Sequence, residues 1–299
     1  MKFSSYLFTC LLSTSCVFAQ TDDLSTLLER ESEGTDKREF TRATFKTTRI
    51  VNGHSIENVS AGVLDFRISH HFGTFERGLY DMIGLDNATI RLGLEYGLHE
   101  RVMVGLGRST HEKTIDGFTK IKILRQQEGK GGMPVSLSYL GSAEVKTIAF
   151  DKPWQNNRFT SRLYFTHQLL LARKFNERIS LQLSPGLVHW NLVPEAGDPN
   201  DMLSLGAGGR FKITRRVSLN LEYFYQLPKF RQESTQDAVA IGFDIDTGGH
   251  IFQVFITNSA GITERAFITQ TLNKVSKGEL LLGFCISRVF TLRTPKDFR

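Results

Sequence analysis

The sequence predicts an all-β protein: a closed antiparallel transmembrane β-barrel of about twelve strands with a polar N-terminal periplasmic arm. Three observations lead to this fold class. Apolar and polar residues alternate with a period of two, very short connections alternate with long ones, and a cleavable targeting sequence precedes them all. Beyond that targeting sequence, no apolar run approaches the roughly 18 residues of a membrane-spanning helix. A membrane protein without such helices must close its sheet, because only closure pairs every backbone N–H and C=O in lipid.

Residues 1–19 have the features of a signal peptide. Lys2 supplies the positive start, residues 6–12 are largely apolar, and the expected cleavage follows Ala19, so that the mature chain begins at Gln20. Export of this kind agrees with an outer-membrane location in a Gram-negative cell envelope.

Cysteine usage agrees with an exported chain that relies on no disulfide. Cys10 and Cys16 leave with the signal peptide, and only Cys285 remains. Anchoring through a lipidated Cys16 is the weaker alternative, because Ser13 stands where an aliphatic residue is expected.

The mature chain divides into an arm and a barrel. Residues 20–60 are mostly polar and charged, and we expect them to form a periplasmic arm, with a short helix near residues 24–30. Residues 61–299 carry the alternation and form the expected barrel.

The alternation is clearest in the run from Val217. Leu219 and Leu221 fall on one face of this strand, and Asn220 and Glu222 fall on the other. Twelve such runs are expected, near residues 63–72, 88–98, 101–109, 115–125, 135–149, 158–174, 178–190, 202–213, 217–226, 238–246, 250–258 and 279–292.

Connection lengths orient the barrel. Tight turns are expected at residues 99–100, 176–177, 214–215 and 247–249, whereas the long connections are residues 73–87, 191–201, 227–236 and 258–278. Short periplasmic turns and long external loops are typical of bacterial outer-membrane barrels, so both termini are expected in the periplasm. The glycine-rich segment 126–133 is a longer connection on the short side. A soluble all-β protein also alternates, but a lipocalin has only eight strands, and no blade-length repeat indicates a propeller.

Three strings resemble an uncharacterised family of outer-membrane β-barrels, a domain of unknown function. They are residues 44–55 (TFKTTRIVNGHS), residues 169–183, and residues 246–253 (DTGGHIFQ) followed by residues 257–259. The resemblance spans about residues 40–292. It implies the barrel and its place in the cell envelope, and it carries over no catalytic residues.

Charged residues on the expected inward faces are the candidates for contact with a solute. Seven are basic and four are acidic, an excess that favours a narrow channel with a mild preference for anionic solutes. The alternative is a non-conducting structural or interaction barrel whose charges pair with one another. The lumen candidates are Asp65, Arg67, Arg91, Glu95, Lys120, Lys122, Arg162, Arg210, Lys212, Glu222 and Asp244.

Histidines are the candidates for a metal or haem site. On the expected topology, four lie at the outer rim and three on the periplasmic side, but they come from different strands without ligand-like spacing. We therefore expect no cofactor and leave a metal site open. The outer-rim histidines are His70, His71, His111 and His189, and the periplasmic ones are His54, His99 and His250.

Catalysis is the least favoured class. Ser55 beside His54 lies in the arm, no Gly-x-Ser-x-Gly motif occurs, and His167 is an isolated mid-strand residue, so a lipid hydrolase is a minor alternative. We expect no enzyme activity.

The expected partners are the bilayer, the barrel-assembly machinery and a small anionic solute. The formal net charge of +6 is mild and scattered, which argues against nucleic acid. The last strand, residues 279–292, carries glycine and aromatic residues, including Phe290, that resemble an assembly signal. Arg288 departs from that pattern.

Overall fold

The computed structural model describes residues 39–129, 131–151, 155, 157–232 and 234–293. Twelve antiparallel strands form one closed barrel. In chain order they are β1 Val63–Thr74, β2 Ala88–His99, β3 Val102–Ser109, β4 Thr114–Leu124, β5 Ser136–Lys146, β6 Leu163–Lys174, β7 Ile179–Trp190, β8 Asp201–Lys212, β9 Val217–Gln226, β10 Ala238–Asp246, β11 Ile251–Thr257 and β12 Leu281–Thr291.

Each strand pairs with its neighbours in the chain, and β12 closes the barrel by pairing with β1 from Phe290 opposite Leu64 to Leu281 opposite Thr74. Closure leaves neither β1 nor β12 as an open edge, as a bilayer requires. The closed antiparallel barrel of twelve strands predicted from the sequence is confirmed. Every predicted strand is present, with ends displaced by a few residues.

The two faces of the strands separate as the alternation predicts. Leu92 and Leu94 on β2 are each 48% exposed, whereas Arg91 and Glu95 on the same strand are buried inside the barrel. Exposed leucines facing outward form the surface that contacts lipid. Within the described residues, no helix has both the length and the apolar character to cross a membrane.

One connection on the short-turn side is more elaborate than a turn. Between β4 and β5, Gln127–Glu128 pairs with Glu39–Phe40, the first described residues of the arm. Gln127 also bridges to Met133, closing a small hairpin. The arm therefore reaches the barrel at the end that carries the short turns, which is the end expected to face the periplasm.

The arm does not stop at that end. From Thr44 to Ile56 it is almost entirely buried, and Val59 is 6% exposed. Residues 44–59, which the sequence assigned to a periplasmic arm ending at residue 60, therefore lie within the barrel. Polar composition did not exclude burial, because the barrel wall supplies hydrogen-bonding partners for these residues. The expected signal peptide, and the arm as far as residue 38, lie outside the described residues.

A second segment enters the barrel from the opposite end. The connection between β11 and β12 carries a short helix, α1, Glu264–Thr269, and all six of its residues are buried. Within α1, Phe267 and Ile268 pack in one apolar cluster with Tyr164, Trp190 and Phe224 of the barrel wall. We call residues 44–59 the inner segment and residues 258–273 the outer segment.

Candidate functional site

The inner segment is a hairpin standing in the barrel lumen. Ile50 N–H donates to the Gly53 carbonyl at 2.9 Å, and Ser55 N–H donates to the Thr48 carbonyl at 2.9 Å. Arg49 and His54 form an antiparallel bridge across it. The tip of the hairpin, residues 51–53, therefore lies deepest in the barrel, and the chain returns to the periplasmic end where β1 begins.

Glu222 of β9 holds this tip. Its carboxylate accepts the backbone N–H groups of Val51 at 3.2 Å, Asn52 at 3.2 Å and Gly53 at 2.9 Å. A side chain at Gly53 does not fit, because a Cβ atom there lies 2.8 Å from the Phe224 ring. The turn thus presents its N–H groups to one buried carboxylate.

Cationic side chains of the wall bind carbonyl groups of the inner segment and of the residue before it. Lys120 Nζ donates to the Ser55 carbonyl at 3.0 Å and also to that of Glu57. Arg210 Nη1 donates to the carbonyls of Ala43 at 2.8 Å and Thr44 at 3.1 Å. Both cations thus have backbone carbonyls of the arm as partners.

Amide side chains of the wall bind further carbonyls of the hairpin. Gln182 Nε2 donates to the His54 carbonyl at 2.7 Å, and both Asn220 and Gln253 donate to the Ile50 carbonyl at 3.1 Å. The barrel wall therefore recognises the backbone of the inner segment. When the inner segment leaves the lumen, water can take over each of these hydrogen bonds.

The outer segment is held by a buried ion-pair cluster. Arg265 donates to Glu144 through Nε at 2.9 Å and Nη2 at 2.7 Å, and to Glu112 at 2.8 Å. Its guanidinium lies 4.2 Å from the centroid of the Tyr164 ring. Burial raises the pKa of Glu112, but Arg265 and Lys146 outweigh that effect and hold the pKa at about 2.

The two segments meet inside the barrel. Arg49 Nη1 donates to Glu264 of α1, and Arg49 Nη2 lies 3.4 Å from Glu95 of β2. His54 Nε2 lies 3.3 Å from the same Glu264 carboxylate. The lumen is therefore occupied from both ends, and the junction is an ion-pair cluster that belongs to neither segment alone.

Most of the predicted lumen residues lie inside the barrel. Lys122 and Lys212 are only partly buried, with side chains 17% and 29% exposed. Arg162 is not on a strand. It ends a 3-10 turn before β6 and donates to the Thr147 carbonyl at 3.2 Å, so its placement on an inward strand face was wrong. The candidates buried inside are Asp65, Arg67, Arg91, Glu95, Lys120, Arg210, Glu222 and Asp244.

Sequence reasoning missed five charged residues that lie inside. Asp116, which pairs with Arg91, and Glu144 are on inward strand faces, and the period of two was the signal for both. Arg49, Glu264 and Arg265 belong to the inner and outer segments. These segments show no period-two alternation from which the direction of a side chain could be predicted. Among the described residues, the fully buried charges are six basic and seven acidic, so the basic excess counted from the sequence disappears.

The histidines do not converge. His54 lies in the lumen and not on the periplasmic side, because the hairpin carries it inward. Neighbouring residues of β1 face opposite ways: His71 Nδ1 lies 2.9 Å from the Ser259 carbonyl, and His70 stacks on Phe284. Across the described part of the chain, no three His, Cys, Asp or Glu side chains are grouped as metal ligands.

Residues 45–290 match the model of a family described as a membrane-bound β-barrel domain, DUF5777. The solved structure of the porin NanC is 7% identical, with a TM-score of 0.45, over 76% of this chain and 98% of that one. The porin KdgM is 9% identical, with a TM-score of 0.46, over 76% and 99%. The structure of KdgM in complex with disordered oligogalacturonate is 8% identical, with a TM-score of 0.47, over 76% of this chain and 99% of that one. No curated protein matches the sequence significantly.

Proposed function

The chain belongs to the DUF5777 family of membrane-bound β-barrels, and we propose that it is a narrow solute channel of the outer membrane, gated by the inner segment. The observation that carries this proposal is the way the hairpin is held. Glu222, Gln182, Asn220 and Gln253 all bind its backbone, and each of these bonds is exchangeable with water. Such a hairpin can leave the lumen without exposing an apolar surface at these contacts, because the groups that held it are polar and can be solvated.

The solute class follows from the wall that departure of the hairpin uncovers. Lys120 and Arg210 lose their carbonyl partners, while Glu222 and Glu95 lose their donors. Charges of both signs then face water. This lining suits a small hydrophilic solute and weak charge selectivity, and the mild anion preference stays a prediction.

Deletion of the arm tests the gate. We expect removal of residues 20–58 to raise the single-channel conductance of the purified barrel in planar bilayers. Removal of residues 20–38 alone is the matched control, since it leaves the inner segment intact, and its conductance should equal that of the full chain. A folded, heat-modifiable barrel without residues 20–58 that conducts no more than the full chain would contradict the proposal.

Reversal potentials test the selectivity. In the barrel lacking residues 20–58, replacing Lys120 and Lys122 with glutamate should move the reversal potential toward cation preference, because fixed charge acts strongly in a narrow lumen. Control replacements at Arg101 and Arg178, on the short turns outside the lumen, should leave it unchanged. An unmoved reversal potential in the Lys120 and Lys122 variant would remove these residues from the solute path.

A non-conducting interaction barrel is the second candidate, and one observation favours it. Phe45, Ile50, Val51 and Ile56 of the inner segment pack with Leu170 and Phe255 of the wall, so the hairpin also completes an apolar core. A permanent core segment would never leave. The two candidates separate in the same bilayer experiment, since the interaction barrel shows no conductance steps with the full chain under any applied voltage.

A further inference from the structure

Tyr139 and His167 form a polar pair on the outer, lipid-contacting surface of the barrel. Their strand neighbours Ser138, Leu140, Thr166 and Gln168 are buried inside, so the alternation turns Tyr139 and His167 outward. The Tyr139 hydroxyl lies 2.6 Å from His167 Nδ1, and the two rings stack. Polar side chains on a lipid-contacting face are costly and indicate a function.

Gly141 makes room for this pair. It lies opposite His167 in the β5–β6 ladder, and a Cβ atom there would lie 3.0 Å from the Tyr139 hydroxyl. The Tyr139 ring therefore crosses above a residue without a side chain to reach His167. The contact depends on three residues fitting together, which separates it from a chance meeting of two side chains.

An apolar groove of about 660 Å³ adjoins the pair. Pro185 lies in it and lacks a backbone N–H, and the β6–β7 ladder skips from the Gln168–Gly186 pair to the Leu171–Leu183 pair. The compact proline ring leaves a depression where a larger side chain would fill the surface. Tyr139 and His167 line the groove together with apolar residues that include Leu169, Pro185, Leu203 and Leu205.

The depth of the pair in the membrane follows from the ladder. Phe165 lies opposite His189, whose Nδ1 is 2.7 Å from Asp201, and this ion pair is partly exposed at the outer end of the strands. His167 is two residues below Phe165 on the same face. At about 3.3 Å per residue and a tilt near 40°, it lies about 5 Å below that polar edge. The linkage between the headgroup and the chains of an outer-leaflet lipid comes at this depth.

We propose that this surface binds one acyl lipid of the outer leaflet. In the tautomer in which Nδ1 accepts the Tyr139 hydroxyl, the neutral His167 ring carries its hydrogen on Nε2. In the described part of the chain, the Tyr139 hydroxyl is the one hydrogen-bonding group brought to this ring. An N–H donor left without an acceptor in hydrocarbon is costly. A lipid ester or amide carbonyl accepts from Nε2, and its chain fills the groove.

Competition between ester-linked and ether-linked lipids tests the site, because only the ester carries a carbonyl oxygen. The full chain is reconstituted in vesicles of equal parts ester-linked and ether-linked phosphatidylcholine of one chain length. Lipid retained after mild detergent extraction is then counted by native mass spectrometry. We expect about fivefold enrichment of the ester lipid, the effect of one net hydrogen bond. His167→Phe and Tyr139→Phe should abolish the enrichment, and His250→Phe, on a periplasmic turn, should retain it.

Three results would overturn the proposal. Equal retention of both lipids by the unmodified protein would show that no hydrogen bond to a lipid carbonyl forms. This result does not depend on the folding of any variant. An unchanged ester preference in His167→Phe assigns the retained lipid to another surface. Efficient disulfide cross-linking of a Leu205→Cys variant into dimers would mean that a second copy of the chain covers the groove. None of these results bears on conductance, so the test stands apart from the proposed channel.

Discussion

Glu222 is a main anchor of the inner segment, since its one carboxylate accepts hydrogen bonds from three backbone N–H groups. Carboxylates that accept several backbone donors are effective anchors, because each bond is charge-assisted. The same residue was predicted to contact a solute. In the closed barrel its position is taken by the hairpin tip, which therefore occupies the place of a ligand.

Replacing Glu222 should release the hairpin. Glu222→Ala leaves three buried N–H groups without an acceptor, at a cost of about 1 to 3 kcal/mol each when they stay buried. We expect trypsin to cut the folded barrel at Arg49, which is buried in the unmodified protein. Glu100→Ala, at an exposed turn, is the matched control and should leave the arm resistant. Equal resistance of both variants would show that the hairpin does not depend on this anchor.

Acid should loosen the outer segment through Glu112. Arg265 and Lys146 hold its pKa at about 2, whereas in a released, solvated loop it returns to its ordinary value of about 4.5. A carboxyl with a depressed pKa stabilises the closed form above that ordinary value and loses this effect as pH falls toward 2. Release of the outer segment, followed as pepsin cleavage within residues 258–273 of the folded barrel, should therefore rise between about pH 4.5 and pH 2. Glu112→Gln should show more cleavage within this segment above pH 4.5 and a weaker pH response.

At the scale of strands and segments, alternation determines which face of each strand points to lipid, and hydrogen bonds determine where the inner and outer segments lie in the lumen. Leu221 and Glu222 are neighbours in sequence, yet one faces lipid and the other the hairpin. A shift of one residue in register would exchange every such pair. The inserted segments obey no such period, and their positions follow from partners contributed by many strands.

Charge on the lipid-contacting face of a strand should be costly. Leu92→Lys is expected to reduce the free energy of unfolding by about 2 to 4 kcal/mol near the bilayer midplane. Gly249→Lys, in a periplasmic turn with open space around it, should cost little. Urea unfolding in lipid vesicles measures both. Asn220→Lys, on the inward face of β9, is not a suitable control, because the Asn220 amide donates to the Ile50 carbonyl. Equal stability of the Leu92 and Gly249 variants would contradict the assignment of faces.

At the scale of the whole molecule, closure by β12 is the condition for a stable barrel. Phe290 lies opposite Leu64, and Ile286 opposite Ile68, so the last strand covers the edge of the first. Without it, β1 and β11 would both expose unpaired backbone groups to lipid. The likeness of this strand to an assembly signal stays a prediction.

Truncation tests the role of this strand in assembly. Deleting residues 284–292 should abolish the heat-modifiable form in outer-membrane fractions, since it removes most of β12. Phe290→Ala should lower the assembled amount. Removing residues 294–299, which lie outside the described residues, should be tolerated and serves as the control. A normal yield of barrel after the 284–292 deletion would show that another strand closes the sheet.

The sequence by itself determined the barrel, its strand count and the faces of its strands. Period-two alternation is a local property, and the lipid bilayer requires a closed sheet, so Leu221 and Glu222 were assigned to opposite faces from the sequence alone. It did not determine the contents of the lumen. Arg162 was misplaced because a strand end depends on where the turn before it finishes.

Only the tertiary structure decided that the arm enters the barrel. Residues 44–55 are polar enough to remain in water, and their burial depends on Glu222, Lys120, Gln182 and Gln253, which lie far from them in sequence. Composition records no such partners, because they come together only when the strands close. For the same reason the Tyr139–His167 pair emerges from strand register and the gap at Gly141, and no local pattern in the sequence announces it.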